Sequence, residues 1–427
     1  MSVVEFSGEI GKSLLAVFKG ILGWLFIAPF AILMPRRRDW LVVIGRDEGK
    51  FVDNAKYFFL QSRSLLNDEL RIVFVTERAD VADLLAGTRC EVSVYPSWSS
   101  IWILLRSATV VVDSSEWILR FRRFLLCGAS VLQLWHGVGN KRIELDKWRN
   151  EAKGRGLLSA GWTLPLRKVM HTLSGRLVRY DAVNTTSVFY RDNVFVPAFL
   201  SRHFLVSGYP RNAFNTIGNT GETPAWRNVD PAIGSLIPAW QVQNRRIVIV
   251  APTFRDTQIS PLGLDSDATL LLDDYCERHG VEFIFKFHPA ERSANRIQGH
   301  HLHVCSPDSD LYPLLPLSSA LITDYSSICM DYLLLDKPVL FLVPDLEDYM
   351  LHDRQLQFDP DEMTPGPKLS SWQEVIDTLD SLRQKDDYVE ERARLRRIAF
   401  DDIPQEEAVP RLIGFMRAQA WIPGKRG

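Results

Sequence analysis

Short runs of branched and aromatic residues, each long enough for one strand and each followed by a helix-length segment, recur along this chain. Residues 40–45, 71–75, 108–113, 131–135, 181–184 and 203–206 form one series. Residues 246–250, 283–286, 320–323 and 339–342 form a second. Most of these runs are apolar without a period of two, so both faces of each strand are covered. Intervening stretches such as 52–66, 268–279 and 326–335 read as helices, and the tail from 371 onward reads helical. Buried strands alternating with helices predict an α/β fold with parallel sheets. A length of 427 residues accommodates two such domains.

The breaker-rich stretch between the two series separates them. The expected organisation is 1–38 as a membrane-associating segment and 39–215 as a first Rossmann-like domain. A linker over 216–245, a second Rossmann-like domain over 246–400 and a helical tail over 401–427 complete it. Ligands of such sheets sit outside the carboxyl ends of the strands, so the residues there are the candidates for chemistry.

Composition narrows the function. Apolar residues make up 46% and charged ones 24%, which excludes a disordered chain and a polytopic membrane protein. Fifty Lys and Arg against 52 Asp and Glu argue against a dedicated nucleic-acid binder. Cys90, Cys127, Cys276, Cys305 and Cys329 are widely spaced with no CxxC pair, the pattern of a reduced cytosolic chain.

The charge is nevertheless uneven. Residues 14–34 are apolar except for Lys19, and Arg36, Arg37 and Arg38 follow them. A secretory signal would carry its basic residues before the apolar run. Trp24 and the arginine cluster suit a helix in the membrane interface beside anionic lipid, favoured over a spanning helix. Around 141–180, ten basic residues stand against three acidic ones, interleaved with apolar side chains. Arg167 and Lys168 lie in this stretch, which is expected to contact lipid or a polyanionic acceptor.

Six strand ends carry the candidate chemistry. After 320–323 comes Asp324-Tyr325-Ser326-Ser327 at the start of a helix, where hydroxyls and free N–H groups can cradle phosphate. Plain capping by Asp324 or Ser326 is the competing reading. His288 follows the strand at 283–286 and His136 follows the strand at 131–135. A histidine from each domain would face the other across a cleft, one as base and one beside a leaving group. Arg211 and Arg255, with Thr253 beside the latter, stand where a guanidinium can grip phosphate. Asp345, Glu347 and Asp348 follow a further strand and could accept from ribose hydroxyls.

Other patterns fail. Gly11-Lys12-Ser13 lacks the upstream glycine of a phosphate-binding loop. Asp265-Ser266-Asp267 and Asp308-Ser309-Asp310 precede helical patterns and read as caps. His300, His301 and His303 have no carboxylate or cysteine spaced to complete a zinc site, so no metal is expected.

In their order along the chain, these motifs resemble the CDP-glycerol glycerophosphotransferase family of teichoic-acid and capsule synthesis. The matching pieces are Trp135-His136-Gly137, Gly208-Tyr209-Pro210-Arg211-Asn212 and Ala251-Pro252-Thr253-Phe254-Arg255-Asp256. His288-Pro289, Thr323 to Ser327, Asp331-Tyr332, Asp336-Lys337-Pro338, Asp345 to Tyr349 and Pro365-Gly366-Pro367 continue the set. The resemblance implies a GT-B type fold with two Rossmann-like domains, a CDP-alditol donor and a place on the cytoplasmic face of the membrane. The donor, CDP-glycerol or CDP-ribitol, is a substrate, and no cofactor is implied. The acceptor would be a lipid-linked or polymeric glycan.

On this reading His136 is the general base, and His288 hydrogen-bonds the diphosphate and assists departure of CMP. Arg211, Thr253, Arg255, Asp324, Ser326 and Ser327 hold donor phosphate. Asp345, Glu347 and Asp348 hold ribose or cytidine. Two departures stand out. Val138-Gly139-Asn140-Lys141-Arg142 replaces the family's usual Thr-Pro and lysine pair, and Ala213 stands where Asp is usual. Both are expected in the acceptor half. The alternatives are a sugar-nucleotide glycosyltransferase using the same cleft and a non-catalytic membrane scaffold.

Overall fold

A computed structural model describes the chain apart from residues 1–14, 16, 67–68, 120, 155–177, 215–222, 254–261, 263, 288–296, 345–355 and 425–427. The fold is α/β and divides into two compact units. The first comprises Met1–His136, Ile143–Arg211 and Pro404–Gly427, and the second Gly137–Arg142 and Asn212–Ile403.

The first unit holds a seven-stranded sheet: β1 (Arg37–Ile44), β2 (Arg71–Thr76), β3 (Glu91–Val94), β4 (Ser107–Val112), β5 (Ser130–Gln133), β6 (Arg179–Thr185) and β7 (Leu200–Val206). Its order is β3-β2-β1-β4-β5-β6-β7, and every pair is parallel. The burial of Leu41 to Ile44 and of Val110 to Val112 explains why these strands read as continuous apolar runs.

The second unit holds a six-stranded sheet: β8 (Arg246–Val250), β9 (Val281–Phe285), β10 (Leu302–Val304), β11 (Ser318–Thr323), β12 (Val339–Leu342) and β13 (Lys368–Leu369). Its order is β10-β9-β8-β11-β12-β13, again parallel throughout. The helix Ser266–His279 covers it, capped by Asp265, whose Oδ1 accepts from Ala268 N at 2.8 Å. Asp310 likewise accepts from Tyr312 N at 3.0 Å.

Three boundaries differ from the expectation. Strand β1 begins at Arg37, opposite Ser107 of β4, inside the segment assigned to the membrane. The stretch 216–245 carries the helix Pro231–Val242, with the Asp230 side chain accepting from Ala232 N and Ile233 N. Its Ile233, Ile237 and Trp240 are buried, so the breakers mark a cap and not a bare linker. The tail helix Ala408–Ala418 returns to the first unit. There Val409, Leu412, Ile413 and Met416 share a core with Phe58, Phe59 and Leu66 of the helix Asp53–Leu66.

Arg36 has a structural role that its neighbours do not share. Its guanidinium donates to the carbonyls of Leu104, Ser107, Ala31, Leu125 and Cys127. Five carbonyl acceptors hold this charge inside the first unit, which corrects its assignment to a lipid-facing cluster. Arg37 pairs with Asp39 at 2.6 Å and lies over the Trp40 ring, while Arg38 is exposed. Trp24 is exposed on one side and meets the Phe124 ring edge-on at 5.5 Å on the other. Among the described residues, no helix is long and apolar enough to cross a membrane. Arg167 and Lys168 lie outside the described residues.

Candidate active site

Strands β1, β4 and β5 end side by side in the first unit, and the polar residues just past them form a connected group. Strand β5 runs into Leu134, Trp135 and His136. Trp135 is in the left-handed region at φ +60°, which a bulky side chain adopts only under constraint. The constraint is visible. Trp135 N donates to Gln133 Oε1 at 2.9 Å, and Asn54 Nδ2 donates to the Trp135 carbonyl at 2.9 Å. Gly137 follows at φ +151°, where the chain passes from the first unit to the second.

His136 is thereby held on one face and at one ring nitrogen. The Trp135 ring lies 4.1 Å away, and Nδ1 is 3.0 Å from the Asp113 carbonyl. A carbonyl only accepts, so Nδ1 carries the proton and Nε2 keeps its lone pair. Burial, and then the Arg46 guanidinium, push the His136 pKa down to about 4, so the ring is neutral at physiological pH.

Arg211 and Asp53 fasten this loop from behind. Arg211 Nη1 is ion-paired with Asp53 and donates to the His136 carbonyl at 2.9 Å. Arg46 Nη1 reaches the other Asp53 oxygen at 3.3 Å. Asn54 Oδ1 accepts from Arg211 N at 3.2 Å, and Gln61 Nε2 donates to the Pro210 carbonyl at 2.9 Å. The helix Asp53–Leu66 thus grips both the His136 loop and the Arg211 turn. Burial opposes ionisation of Asp53, but Arg211 and Arg46 outweigh it and hold the carboxyl below its ordinary range. Burial, with the neighbouring Asp53 charge, pushes Asp113 well up. Its Oδ2 accepts from Ala55 N at 3.1 Å.

The Arg211 side chain is only 3% exposed, which changes the role expected for it. A guanidinium engaged by a buried carboxylate and a backbone carbonyl is a brace for His136 and is not extended toward a donor phosphate. Asp53, Asn54, Arg46 and Asp113 were not among the candidates from sequence. The signal available was a charged residue directly after an apolar strand, as in Val110-Val111-Val112-Asp113.

The second unit presents a different kind of site. Asp324 follows β11 and is 1% exposed, and both its oxygens accept from Thr253 N, at 2.8 and 3.0 Å. Asp324 therefore ties two strand-end loops together. A carboxylate so placed is engaged by the backbone of the neighbouring loop. Ser326 and Ser327 come next and precede a short helix, Ile328–Tyr332, whose N-cap residue Ser327 makes no side-chain capping hydrogen bond. Both serines line a small open pocket with Asp324, Tyr325, Gly139 and Asn140.

Gly139 and Asn140 correct one expectation. They belong to the second unit, beside Ser327, and not to the first domain expected over 39–215. A Cβ on Gly139 would meet the Ser327 Cβ at 3.1 Å. Asn140 Nδ2 donates to the Phe358 carbonyl at 3.0 Å, and its Oδ1 accepts from Phe358 N at 2.6 Å. The departure at 138–142 thus helps form the serine pocket.

Several motif residues turn out to be scaffold. Asp331 accepts from Asn212 Nδ2 at 2.8 Å and from the Tyr312 hydroxyl at 2.6 Å. Lys337 Nζ donates to the carbonyls of Pro316 and Ser318. Lys286 Nζ donates to the carbonyls of Ser306 and Ser309. His301 and His303 do have carboxylate partners, because parallel pairing of β9 with β10 brings Glu282 between them. His301 also meets Glu277 at 2.6 Å. Among the described residues, no group of three or more His, Cys, Asp or Glu is placed to hold a metal ion. His288, Arg255, Asp345, Glu347 and Asp348 lie outside the described residues.

Residues 27–413 match the family model of CDP-glycerol:poly(glycerophosphate) glycerophosphotransferases. The chain belongs to this family. It is 28% identical over 262 residues to the teichoic acid poly(glycerol phosphate) polymerase of Bacillus subtilis, covering 60% of this chain and 33% of that one. It is 26% identical over 292 residues to the teichoic acid glycerol-phosphate transferase of Staphylococcus aureus, covering 65% and 67%. The match thus spans about a third of the Bacillus relative and two thirds of the Staphylococcus one. Its fold is similar to that of the wall teichoic acid polymerase TagF, with a TM-score of 0.67, 18% identity and 98% of each chain covered.

Proposed function

We propose that this glycerophosphotransferase-family chain moves glycerol phosphate, or a related alditol phosphate, from a CDP-alditol to a hydroxyl of a lipid-linked or polymeric glycan. The carrying observation is His136: neutral, fixed by its Nδ1 hydrogen bond to Asp113, and left with Nε2 as a base. A hydroxyl is a poor nucleophile at neutral pH, and removing its proton during attack is the task such a nitrogen performs. The acceptor oxygen bonds to the β-phosphorus while the bond to the bridging oxygen breaks, and CMP departs with that oxygen. The acceptor proton passes to His136 Nε2. We assign proton assistance of CMP departure to His288.

Charge accumulates on the transferred phosphoryl group, so stabilising it is the second requirement. Ser326 and Ser327 are assigned to donor phosphate oxygens, with Arg255 adding positive charge. Thr253 and Asp324 hold the two loops in register. Asp345, Glu347 and Asp348 are assigned to the ribose or cytidine. The fold is assigned to the GT-B type, with the acceptor served by the first unit and the donor by the second. The work is placed at the cytoplasmic face of the cell membrane, where a lipid-linked acceptor resides.

The test is incubation of the full chain with CDP-glycerol or CDP-ribitol and membrane glycolipid, reading CMP release and product mass. One alditol phosphate added per CMP supports the reading. Release of a nucleoside diphosphate, or no turnover of either donor, overturns it.

A further inference from the structure

Three segments of the first unit meet on one side of it: the N-terminal helical stretch ending at Leu33, the helix Trp98–Arg106 and the 3-10 helix Phe121–Leu126. They are locked together from beneath. Gly23 lies so close to the Phe124 ring that a Cβ there would overlap it. Arg36 joins the carbonyls of Ala31, Leu104 and Leu125, one from each segment.

Outward, the same segments are apolar. Trp98 is 90% exposed, Trp102 51% and Leu33 80%, and Phe26, Phe30 and Phe121 are exposed with them. Soluble surfaces scatter such residues singly, whereas this concentration marks a contact face. The charge on these segments has one sign. Residues 14–38, 98–106 and 121–129 contain no Asp or Glu. Lys19 and Arg38 are exposed, Arg106 lies 5.4 Å over the Trp102 ring and Arg123 lies 5.4 Å over the Trp24 ring. Aromatic rings beside cations, on a helical stretch that is not long and apolar enough among its described residues to cross a bilayer, suit the headgroup and upper acyl layer of an anionic membrane.

We propose that this face, with Trp98, Trp102 and Phe121 added to the N-terminal helical stretch, is one docking surface for an anionic phospholipid bilayer. It lies in the plane of the interface without spanning it. The proposal rests on the functional reading only in supposing that the acceptor is held in a membrane. Its distinctive content is that residues some 70 to 100 positions from the N-terminal helix bind lipid with it.

The experiment is flotation of the full chain with phosphatidylglycerol-containing vesicles, with pure phosphatidylcholine vesicles and without lipid. The wild type is expected to float with the anionic vesicles. Trp98→Glu with Trp102→Glu is expected to lower the bound fraction at least tenfold, and Trp98→Phe with Trp102→Phe to restore most of it. An unchanged thermal melt shows that the variants are folded. CMP release in detergent with a soluble acceptor is read in parallel and is expected to match wild type. Wild-type protein that ignores anionic vesicles, or glutamate variants that float normally, overturns the proposal. So does a glutamate pair that converts an oligomer to a monomer with flotation unchanged, since the face then covers a second copy. Absence of CMP release from the wild type refutes the functional reading and leaves the flotation result to decide this one.

Discussion

The two strand-end sites differ in how their polar groups are used. Around His136, the neighbouring side chains mostly hold the loop: Asp53, Asn54, Arg211 and Gln133 all bond to its backbone or to one another. Around Ser326 and Ser327, the buried Asp324 ties two loops together beside an open pocket that both serines line. A base must stand at a fixed angle before substrate arrives, which favours a rigid, internally paired loop. A donor site has to accommodate a large anion and release its fragment, which favours groups left for the ligand. The comparison predicts that substitutions in the first site act on turnover and those in the second on donor binding.

The largest effect is expected at His136. His136→Gln keeps a polar side chain but removes the base, and kcat should fall by about a thousandfold. KM for the CDP-alditol should stay close to wild type. A large rise in donor KM with modest loss of kcat would move His136 from base to binding group.

Next comes the brace. Asp53→Asn removes the buried carboxylate that pairs with Arg211, a loss of about 3–5 kcal/mol in stability by denaturant unfolding, and Arg211→Met should cost less because Arg46 still pairs with Asp53. Where the variant folds, kcat should drop about a hundredfold, because a small misplacement of the base is costly. If donor KM changes and kcat does not, Arg211 reaches the diphosphate after all and the two sites are less distinct than argued.

The acid response gives a third measure. The folded His136 pKa is about 4, below the ordinary 6.5. The unfolded chain therefore takes up the proton first as pH falls. The stability contributed by the neutral ring is complete above pH 6.5 and is lost progressively between 6.5 and 4. The full loss is about 3 kcal/mol. Asp113 runs the other way, since its raised value favours the protonated native state at low pH. The stability difference between wild type and His136→Gln, measured by urea unfolding at several pH values, should shrink on acidification. A difference constant from pH 7 to 4 would show that the ring is not desolvated.

In the serine pocket, Ser326→Ala with Ser327→Ala removes two hydroxyls at about 1 kcal/mol each. The donor KM should rise about tenfold or more, with kcat for bound substrate changed less. Loss confined to kcat would reverse the division of labour between the sites.

The fold was legible because both sheets are parallel and covered on both faces, so Leu41 to Ile44 or Phe283 to Phe285 carry their burial in composition alone. The strand-end histidine and serines were legible for the same reason. What was not legible depends on tertiary contact. Arg36 looks like its neighbours in sequence, yet only its side chain reaches five carbonyls from segments far apart in the chain. Arg211 stands at a loop where surface exposure is usual, and its burial follows from Asp53, 158 residues away. Asp53 and Asn54 begin a helix, with nothing local to reveal that they grip two distant loops. The chain also leaves the first unit at Gly137 and re-enters it at Ile143, a detour invisible to periodicity.

That detour supports the finest prediction. Gly139 is beside Ser327, with room for a Cβ only if Ser327 yields by a few tenths of an ångström. Gly139→Ala should therefore displace one hydroxyl of the serine pocket and raise donor KM about threefold, the scale of a weakened hydrogen bond. Turnover should be unaffected, because the groups that hold His136 lie on Asp53, Asn54, Gln133 and Arg211, none of which the new methyl meets. Adding Ser327→Gly removes the crowded Cβ and also the hydroxyl, so the double variant should behave as Ser327→Gly alone. The two changes would then be non-additive, the sign of a direct contact. An increase in KM for the acceptor instead of the donor would return 138–142 to the acceptor side and dissolve the distinction between the two sites at the point where the chain passes from one to the other.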